Sequence, residues 1–342
     1  MSKSSLSRRD FMKVTGAGTA GFVVGGKTRE VEAREAARPD EEAAPPMPER
    51  PLGRTGHRVR IFSLGGQATI ERSGTDEESG AIINRAIDLG VNYIDTAAAY
   101  GRGVSQIRIG RVMATRRDEV FLATKTHDRS RDGSLELLEE SLESLQTDHL
   151  DLWQLHNISR MEQLDRIFAD DGAIHALVEA REQGIVKNLG ITGHADPDVL
   201  LEGLNRFDFD AILLALNPAD KYHRPFMDEL LPEANRRKMG IIGMKIPARG
   251  RIFRDGGLTS MKEALTWTMS QPVSTVIVGC DTVEQLEENV TIAADFQPLN
   301  SAQMAAIEAK VAGYPLEASF FKEGAAGFGR EDGAPDDQQM DG

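Results

Sequence analysis

Four polar residues in this chain have the types and spacing that hydride transfer to a carbonyl would need: Asp95, Tyr100, Lys125 and His156. Each lies at or just past the C-terminal end of a short apolar run, the runs being Val91–Ile94, Val120–Ala123 and Leu150–Leu155. Reducing a carbonyl with a nicotinamide places a hydride on carbon and a proton on oxygen. A phenol is a poor acid at neutral pH, because its unperturbed pKa is about 10. An ammonium such as that of Lys125 favours phenolate and is expected to lower the pKa of Tyr100. Asp95 would keep Lys125 charged and aimed. His156 would donate a hydrogen bond to the substrate oxygen, where charge develops. Singly, each residue has a plainer account, since a Tyr after a strand commonly packs, a lone Lys is commonly solvated and a strand-end His is commonly core. Together, in order and on consecutive strand ends, they point to chemistry.

Positioning four such groups takes several parallel strands. Short apolar runs alternate eight times with longer amphipathic stretches, and the expected strands are Phe62–Leu64, Asn92–Ile94, Glu119–Ala123, Asp151–Leu155, Asn188–Ile191, Ala211–Leu214, Ile241–Met244 and Thr275–Val278. Helices are expected over Asp76–Leu89, Ser134–Leu145, Ile174–Gln183, Pro197–Asn205 and Arg224–Lys238. Asp76 and Ser134 are candidate N-caps, and Gly90, Gly184 and Gly240 follow helices where a left-handed cap favours glycine. This alternation predicts a parallel sheet covered by helices. A doubly wound sheet is the competing architecture, but no Gly-x-Gly-x-x-Gly follows the first strand, where Gly65-Gly66-Gln67 stands instead. The better reading is an α/β fold of the (β/α)8 TIM-barrel type, with its site at the C-terminal strand ends.

The tetrad and its order resemble the aldo-keto reductase family, in which Asp, Tyr, Lys and His stand on successive barrel strands. The resemblance covers about residues 50–296. Arg50–Gly56 with Val59-Arg60-Ile61 is similar to the family's N-terminal β-hairpin, which closes the barrel bottom. Gly101 and Ser105 to Gly110 resemble a Gly-x-x-Ser-Glu-x-x-x-Gly stretch, with Gln106 where Glu is usual. The resemblance implies a nicotinamide cofactor. Thr192 in Gly190-Ile191-Thr192-Gly193 would bond the nicotinamide amide, while Gly193 replaces an Asn that adds a second bond. Leu213 replaces a Gln, and Met244 stands where a stacking aromatic is common; its thioether is a looser platform. Gly66 and Gln67 are placed at the cofactor as well. Lys245, Pro247, Arg249, Gly250 and Arg251 would form the pyrophosphate loop, since cations and close backbone approach suit phosphate; a solvated turn is the plainer account. Gly279, Asp281, Thr282, Gln285, Glu288 and Asn289 match a Gly-x-x-x-x-x-Gln-x-x-Glu-Asn pattern that holds adenosine. A carboxylate at Asp281 repels a 2′-phosphate and accepts from a ribose hydroxyl, which favours NAD over NADP.

The bulk numbers suit a soluble globular protein with one large core. The chain has 342 residues, a formal net charge of −14 and one cysteine, Cys280. That charge opposes a nucleic-acid partner, and one cysteine cannot form an internal disulfide or hold an iron–sulfur cluster. Seven His with no Glu/His pair at helical spacing, and with His175, His194 and His223 isolated, argue against a metal site. Ser7-Arg8-Arg9-Asp10-Phe11-Met12-Lys13 and the apolar run after it resemble a twin-arginine (Tat) signal peptide over residues 1–33; a disordered basic tail is the alternative. That run is too short for a comfortable membrane span. The signal implies passage through the Tat export machinery to the periplasm. Residues 34–49 read as a charged, Pro-rich linker, 50–315 as the barrel and 324–342 as a disordered acidic tail.

Besides the reductase, two readings remain open: a non-catalytic nucleotide-binding sensor subunit, and a sugar-processing enzyme that keeps its NAD through a redox cycle. A small-molecule carbonyl or alcohol is the expected substrate. The stretches Asn157–Asp171, Ala219–Arg224 and Ile252–Leu258 are expected to shape its pocket. Phe253, Tyr222 and Trp153 could wall it, and His127 or His194 is expected to face it.

Overall fold

The computed structural model describes residues 46–326, so the twin-arginine segment, residues 34–45 of the linker and residues 327–342 of the tail lie outside it. Eight parallel strands close into a barrel in sequence order: β3 (Phe62–Gly65), β4 (Tyr93–Asp95), β5 (Phe121–Thr126), β6 (Leu150–Leu155), β7 (Val186–Gly193), β8 (Ala211–Ala215), β9 (Gly240–Met244) and β10 (Thr275–Val278). Closure is made by β10 pairing with β3, Ile277 opposite Ser63. The hairpin is present as β1 (Glu49–Pro51) and β2 (Arg58–Arg60), antiparallel, with Glu49 opposite Arg60.

Helices cover the outside, so strand residues are buried on both faces, which is why the runs read as continuously apolar. The inward set includes Tyr93, Phe121, Ala123, Leu152, Ala211, Leu213, Ile242, Met244 and Ile277, with Leu52 and Val59 of the hairpin segment beneath. Each of the Leu, Ile, Val, Met and Phe side chains in this set contributes roughly 1.5–3 kcal/mol by leaving water. Strand parity corrects one expectation. Leu152 and Gln154 belong to the inner face of β6, so Trp153, fully buried, points between barrel and helices rather than into a pocket.

Local chemistry also moves several caps. Thr75, not Asp76, precedes the helix Asp76–Asp88, whose three acidic first-turn residues suit its positive end. Ser130 caps the helix Arg131–Ser144 by accepting from the Gly133 amide at 3.2 Å, whereas Ser134 is buried inside it. Gly90 and Gly184 take the left-handed conformation, with φ of 85° and 72°. After the helix Leu230–Arg236 that conformation belongs to Lys238, and Gly240 opens β9 instead. This helix starts later than Arg224 because Asp220 accepts from the Met227 amide and holds the preceding segment as a loop.

The packed region is longer than residues 50–315 at both ends. Met47 is buried, and its carbonyl accepts from Arg60 Nη1 at 2.8 Å. At the far end Phe320, Phe321 and Lys322 are buried in a strap across the barrel mouth. Its buried charge explains why composition hid it: Lys322 Nζ reaches Asp220 Oδ1 at 2.5 Å and the carbonyls of His223 and Arg224 at 2.7 and 3.0 Å. Among the described residues no helix is long and apolar enough to cross a membrane.

Candidate active site

Asp95 ends β4 and Lys125 lies near the end of β5, both on the inner face, where they are fully buried. Lys125 Nζ contacts Asp95 Oδ2, the Thr96 carbonyl at 2.7 Å and the Tyr100 hydroxyl at 3.2 Å. These are three acceptors for one nitrogen, and only the protonated ammonium has three hydrogens to give. An ionised pair satisfies all three contacts. Burial acts against the Lys125 charge, but Asp95 and Tyr100 outweigh it and hold its pKa above the usual lysine value.

Tyr100 reaches this ammonium because the chain turns sharply after β4. Gly101 and Arg102 have φ of 57° and 55°, and a side chain at Gly101 would run into the Glu71 carbonyl. The phenol ring packs edge-on against His156, with centroids 5.6 Å apart and planes at 79°. Tyr100 therefore stands between ammonium and imidazole.

The electrostatics reverse one expectation. Burial raises the Tyr100 pKa above the ordinary phenol value, and Asp95 and Glu71 add to the rise; Lys125 pulls it down by less. The group is thus a neutral phenol across the physiological range, and Lys125 limits the rise rather than creating a phenolate. His156 is held well below the usual histidine value by burial, then by the charges of Lys125 and Arg129. A neutral imidazole at this point can donate one hydrogen bond without carrying charge. Its backbone is fixed by donation to the Thr126 carbonyl at 2.9 Å, and its own carbonyl accepts from Arg129 Nη2 at 2.8 Å. What this arrangement can do is give a proton to a developing alkoxide while a neutral donor orients the oxygen.

The residues assigned to a cofactor lie around the same mouth. Thr192 ends up on the inner face of β7, paired with Leu213 of β8, and its hydroxyl accepts from the Asn157 amide at 3.0 Å. Leu213 belongs to the packed barrel interior and offers no amide partner. At Gly193 a Cβ would lie 2.5 Å from the Ile158 carbonyl and against Leu200, so this glycine reflects close packing on the outer side. Met244 is buried at the end of β9. The turn after it puts Lys245, Ala248 and Arg249 at φ of 65°, 46° and 52°, a costly run for residues with side chains. Pro247 accepts from the Gly250 amide at 2.7 Å, and the Arg251 guanidinium lies 4.2 Å from the Phe320 ring of the strap. Burial raises the Glu71 pKa and lowers that of His194. Lys245 and Arg249 act on both groups, limiting the first shift and adding to the second, which places two cations at the mouth between the first and fifth strand ends. A strained, glycine-assisted turn with two cations fits a pyrophosphate. Gly66 and Gln67 follow the first strand: the Gly66 amide donates to the Asp95 carbonyl at 2.7 Å, and Gln67 bonds Glu71.

At the last strand Gly279 packs on the Gln67 backbone. Thr282 caps the helix Val283–Ala294 through the Gln285 amide, Gln285 Oε1 accepts from the Asp281 amide at 2.9 Å, and Glu288 is exposed. Asn289 is buried and donates to Cys280 Sγ at 3.6 Å. Asp281 is not alone, for Arg72 Nη2 stands 2.9 Å from its Oδ1.

Four features escaped the sequence reading. Gln154 donates to Asp95 Oδ1 at 3.2 Å; a Gln inside an otherwise apolar strand run, two residues before His156, was the available signal. Arg72 and Glu71, in the loop after β3, carried no signal beyond charge. The strap was the fourth. His194 is committed to it, with Nδ1 3.0 Å from the Phe321 carbonyl, and burial takes its pKa down to about 3. Gln106, where the pattern has Glu, donates to Thr124 and Ser141 hydroxyls at 2.8 and 2.9 Å in the helix–barrel layer. Tyr222 packs on the outside, its hydroxyl donating to the Glu308 carbonyl at 3.1 Å.

Residues 62–252 match the sequence model of the Aldo/keto reductase family. The chain is 26% identical over 309 residues to an uncharacterized oxidoreductase, YqkF, of Bacillus subtilis, a match covering 77% of this chain and 96% of that one. It is 26% identical over 295 residues to the L-galactose dehydrogenase of Arabidopsis thaliana, covering 74% and 90%. Among solved structures, the holo form of an aldo-keto reductase from Bacillus halodurans superposes with a TM-score of 0.66 at 24% identity, covering 77% of this chain and 96% of that one.

Proposed function

The chain belongs to the aldo/keto reductase family and is an NAD(P)-dependent oxidoreductase, and from that premise we propose that it reduces an aldehyde, ketone or sugar carbonyl with Tyr100 as general acid. The observation that carries this reading is the single contact set of Lys125 Nζ with Asp95, Thr96 and Tyr100, closed by the edge of His156. A bound nicotinamide supplies the hydride. Tyr100 gives its proton to the substrate oxygen as negative charge builds there, and Lys125, held by Asp95, compensates the phenolate left behind. Neutral His156 donates to the same oxygen and orients the carbonyl. Because Tyr100 is a neutral phenol, reduction is the direction ready at neutral pH, and alcohol oxidation rises as the solution becomes alkaline. The L-galactose dehydrogenase among the relatives makes sugars a sensible part of the substrate panel. Tyr-dependent consumption of added NADH or NADPH on a panel of aldehydes, ketones and sugars tests the reading. Nucleotide binding without turnover on that panel would favour a sensor.

We propose NADH as the preferred nucleotide, because Asp281 presents a carboxylate at the adenosine end. Arg72 already offsets that charge at 2.9 Å, so the preference rests on one side chain. Asp281→Ala leaves Arg72 free to meet a phosphate and is expected to tighten NADPH about tenfold while weakening NADH slightly. Fluorescence titration of both nucleotides checks this, and an unchanged ratio of dissociation constants rejects it.

We also propose export by the twin-arginine route, on the strength of Ser7-Arg8-Arg9-Asp10-Phe11-Met12-Lys13. That route carries folded proteins, so the nucleotide would be acquired before export and kept afterwards. Replacing Arg8 and Arg9 by Lys is expected to leave the protein in the cytoplasm on fractionation. A periplasmic form wholly free of nucleotide would overturn retention.

A further inference from the structure

We propose that Gln154 is a positioning residue of this centre: its side-chain amide holds Asp95, and through Asp95 it sets how Lys125 meets Tyr100. The inference rests on the roles given above to Asp95, Lys125 and Tyr100. Gln154 is fully buried on β6, directly across from Lys125 of β5, and its Nε2 donates past Lys125 to Asp95 Oδ1 at 3.2 Å. Lys125 occupies the other oxygen, Oδ2. The carboxylate is thus gripped from two strands and cannot rotate without losing one partner. The direction of the amide is dictated, because a carboxylate only accepts.

Packing does not account for a glutamine here. With Nε2 turned to Asp95, Oε1 is buried with no hydrogen-bond partner among the described residues, an arrangement that destabilises a fold. A Met or Leu would fill the same space among Ala123 and Leu152 without an orphaned Oε1, and what it could not supply is the donor to Asp95 Oδ1. The opposite strand is shaped to admit the longer side chain. Gly190 is paired with Gln154 across β6 and β7, and a Cβ there would lie 2.9 Å from Gln154 Cγ. A glutamine whose Oε1 is orphaned, beside a glycine that makes room for it, is explained by the group it holds.

The consequence is a pH dependence. Groups facing Asp95 are Lys125 from β5, Gln154 and, beyond Lys125, neutral His156 from β6, Tyr93 on its own strand and Tyr100 from the following turn; β3 presents only Gly65. Burial raises the Asp95 pKa above the ordinary carboxylate value, while Lys125 and Gln154 both pull it down. Removing the amide takes away one of the two restraints, so Asp95 protonates at higher pH. Protonated Asp95 no longer anchors Lys125, and activity is lost on acidification sooner than in the wild type.

The test compares Gln154→Met, which keeps the size and loses the donor, with Gln154→Glu, which adds a second carboxylate. The pH profile of kcat/KM for the best aldehyde of the panel is measured beside thermal melting and nucleotide affinity. Gln154→Met trades an orphaned Oε1 for an Asp95 Oδ1 without its donor. It is therefore expected to melt within a few degrees of the wild type and bind nucleotide unchanged, with its acid limb moved up by roughly one pH unit. Gln154→Glu is expected to move the limb further, and it carries the test if the Met variant fails to fold. A folded variant with an unmoved acid limb, beside an inactive Tyr100→Phe, overturns the role of Gln154 alone. A fully active Tyr100→Phe overturns the underlying tetrad reading and this inference with it.

Discussion

Tyr100→Phe is expected to lose between about 10²- and 10⁴-fold in kcat/KM for carbonyl reduction, the range a positioned general acid contributes. The substitution removes one oxygen and little else. The ring keeps its edge-on contact with His156, and Lys125 keeps two of its three acceptors, Asp95 and the Thr96 carbonyl. Melting temperature and nucleotide affinity should therefore stay close to wild type, and the loss should fall on kcat. Lys125→Met is a poorer probe, because it strands a buried Asp95 carboxylate and risks about 3–5 kcal/mol of stability. Steady-state kinetics with and without the hydroxyl decide the matter. A Phe variant within a factor of a few of wild type would remove Tyr100 from the chemistry.

What the sequence disclosed follows from periodicity and from order along the chain. The eight apolar runs were legible because strands buried on both faces must be apolar, and the tetrad was legible because its members end consecutive runs. Geometry between non-neighbouring loops was not legible. Arg72 meets Asp281 because the Thr69 hydroxyl ties its loop to the Asp281 carbonyl at 2.9 Å and buried Arg108 holds the same loop, donating to the carbonyls of Thr69 and Ile70 at 3.1 Å each. The direction of the Tyr100 shift depended on how deeply the phenol is buried against how far Lys125 reaches, and residue types alone contain neither. Gln154 was visible as a polar break in an apolar strand, but its partner Asp95 lies two strands away.

The strap was the largest omission, and it carries the second large effect. Lys322→Met is expected to lower the melting temperature by roughly 5–10 °C, corresponding to the ~3–5 kcal/mol that an abandoned buried charge costs. Lys322 donates to three oxygens at once, Asp220 Oδ1 and the carbonyls of His223 and Arg224, and Asp220 is otherwise held by the Met227 amide at 2.9 Å. Without the ammonium, Asp220 is left buried and uncompensated. The strap then has less reason to stay down, and with it go the His194 contact to the Phe321 carbonyl and the Asn217 contact to the Ala318 carbonyl at 2.9 Å. Substrate KM is expected to rise several-fold with a smaller change in kcat, because the strap borders the mouth without touching the Lys125 cluster. Asp220→Asn combined with Lys322→Met should recover at least half of the lost melting temperature, since a neutral pair carries no stranded charge. Single and double variants that melt together with the wild type would show that the strap docks by its aromatic residues alone. Recovery in the double variant would instead assign the closure to this one buried ion pair.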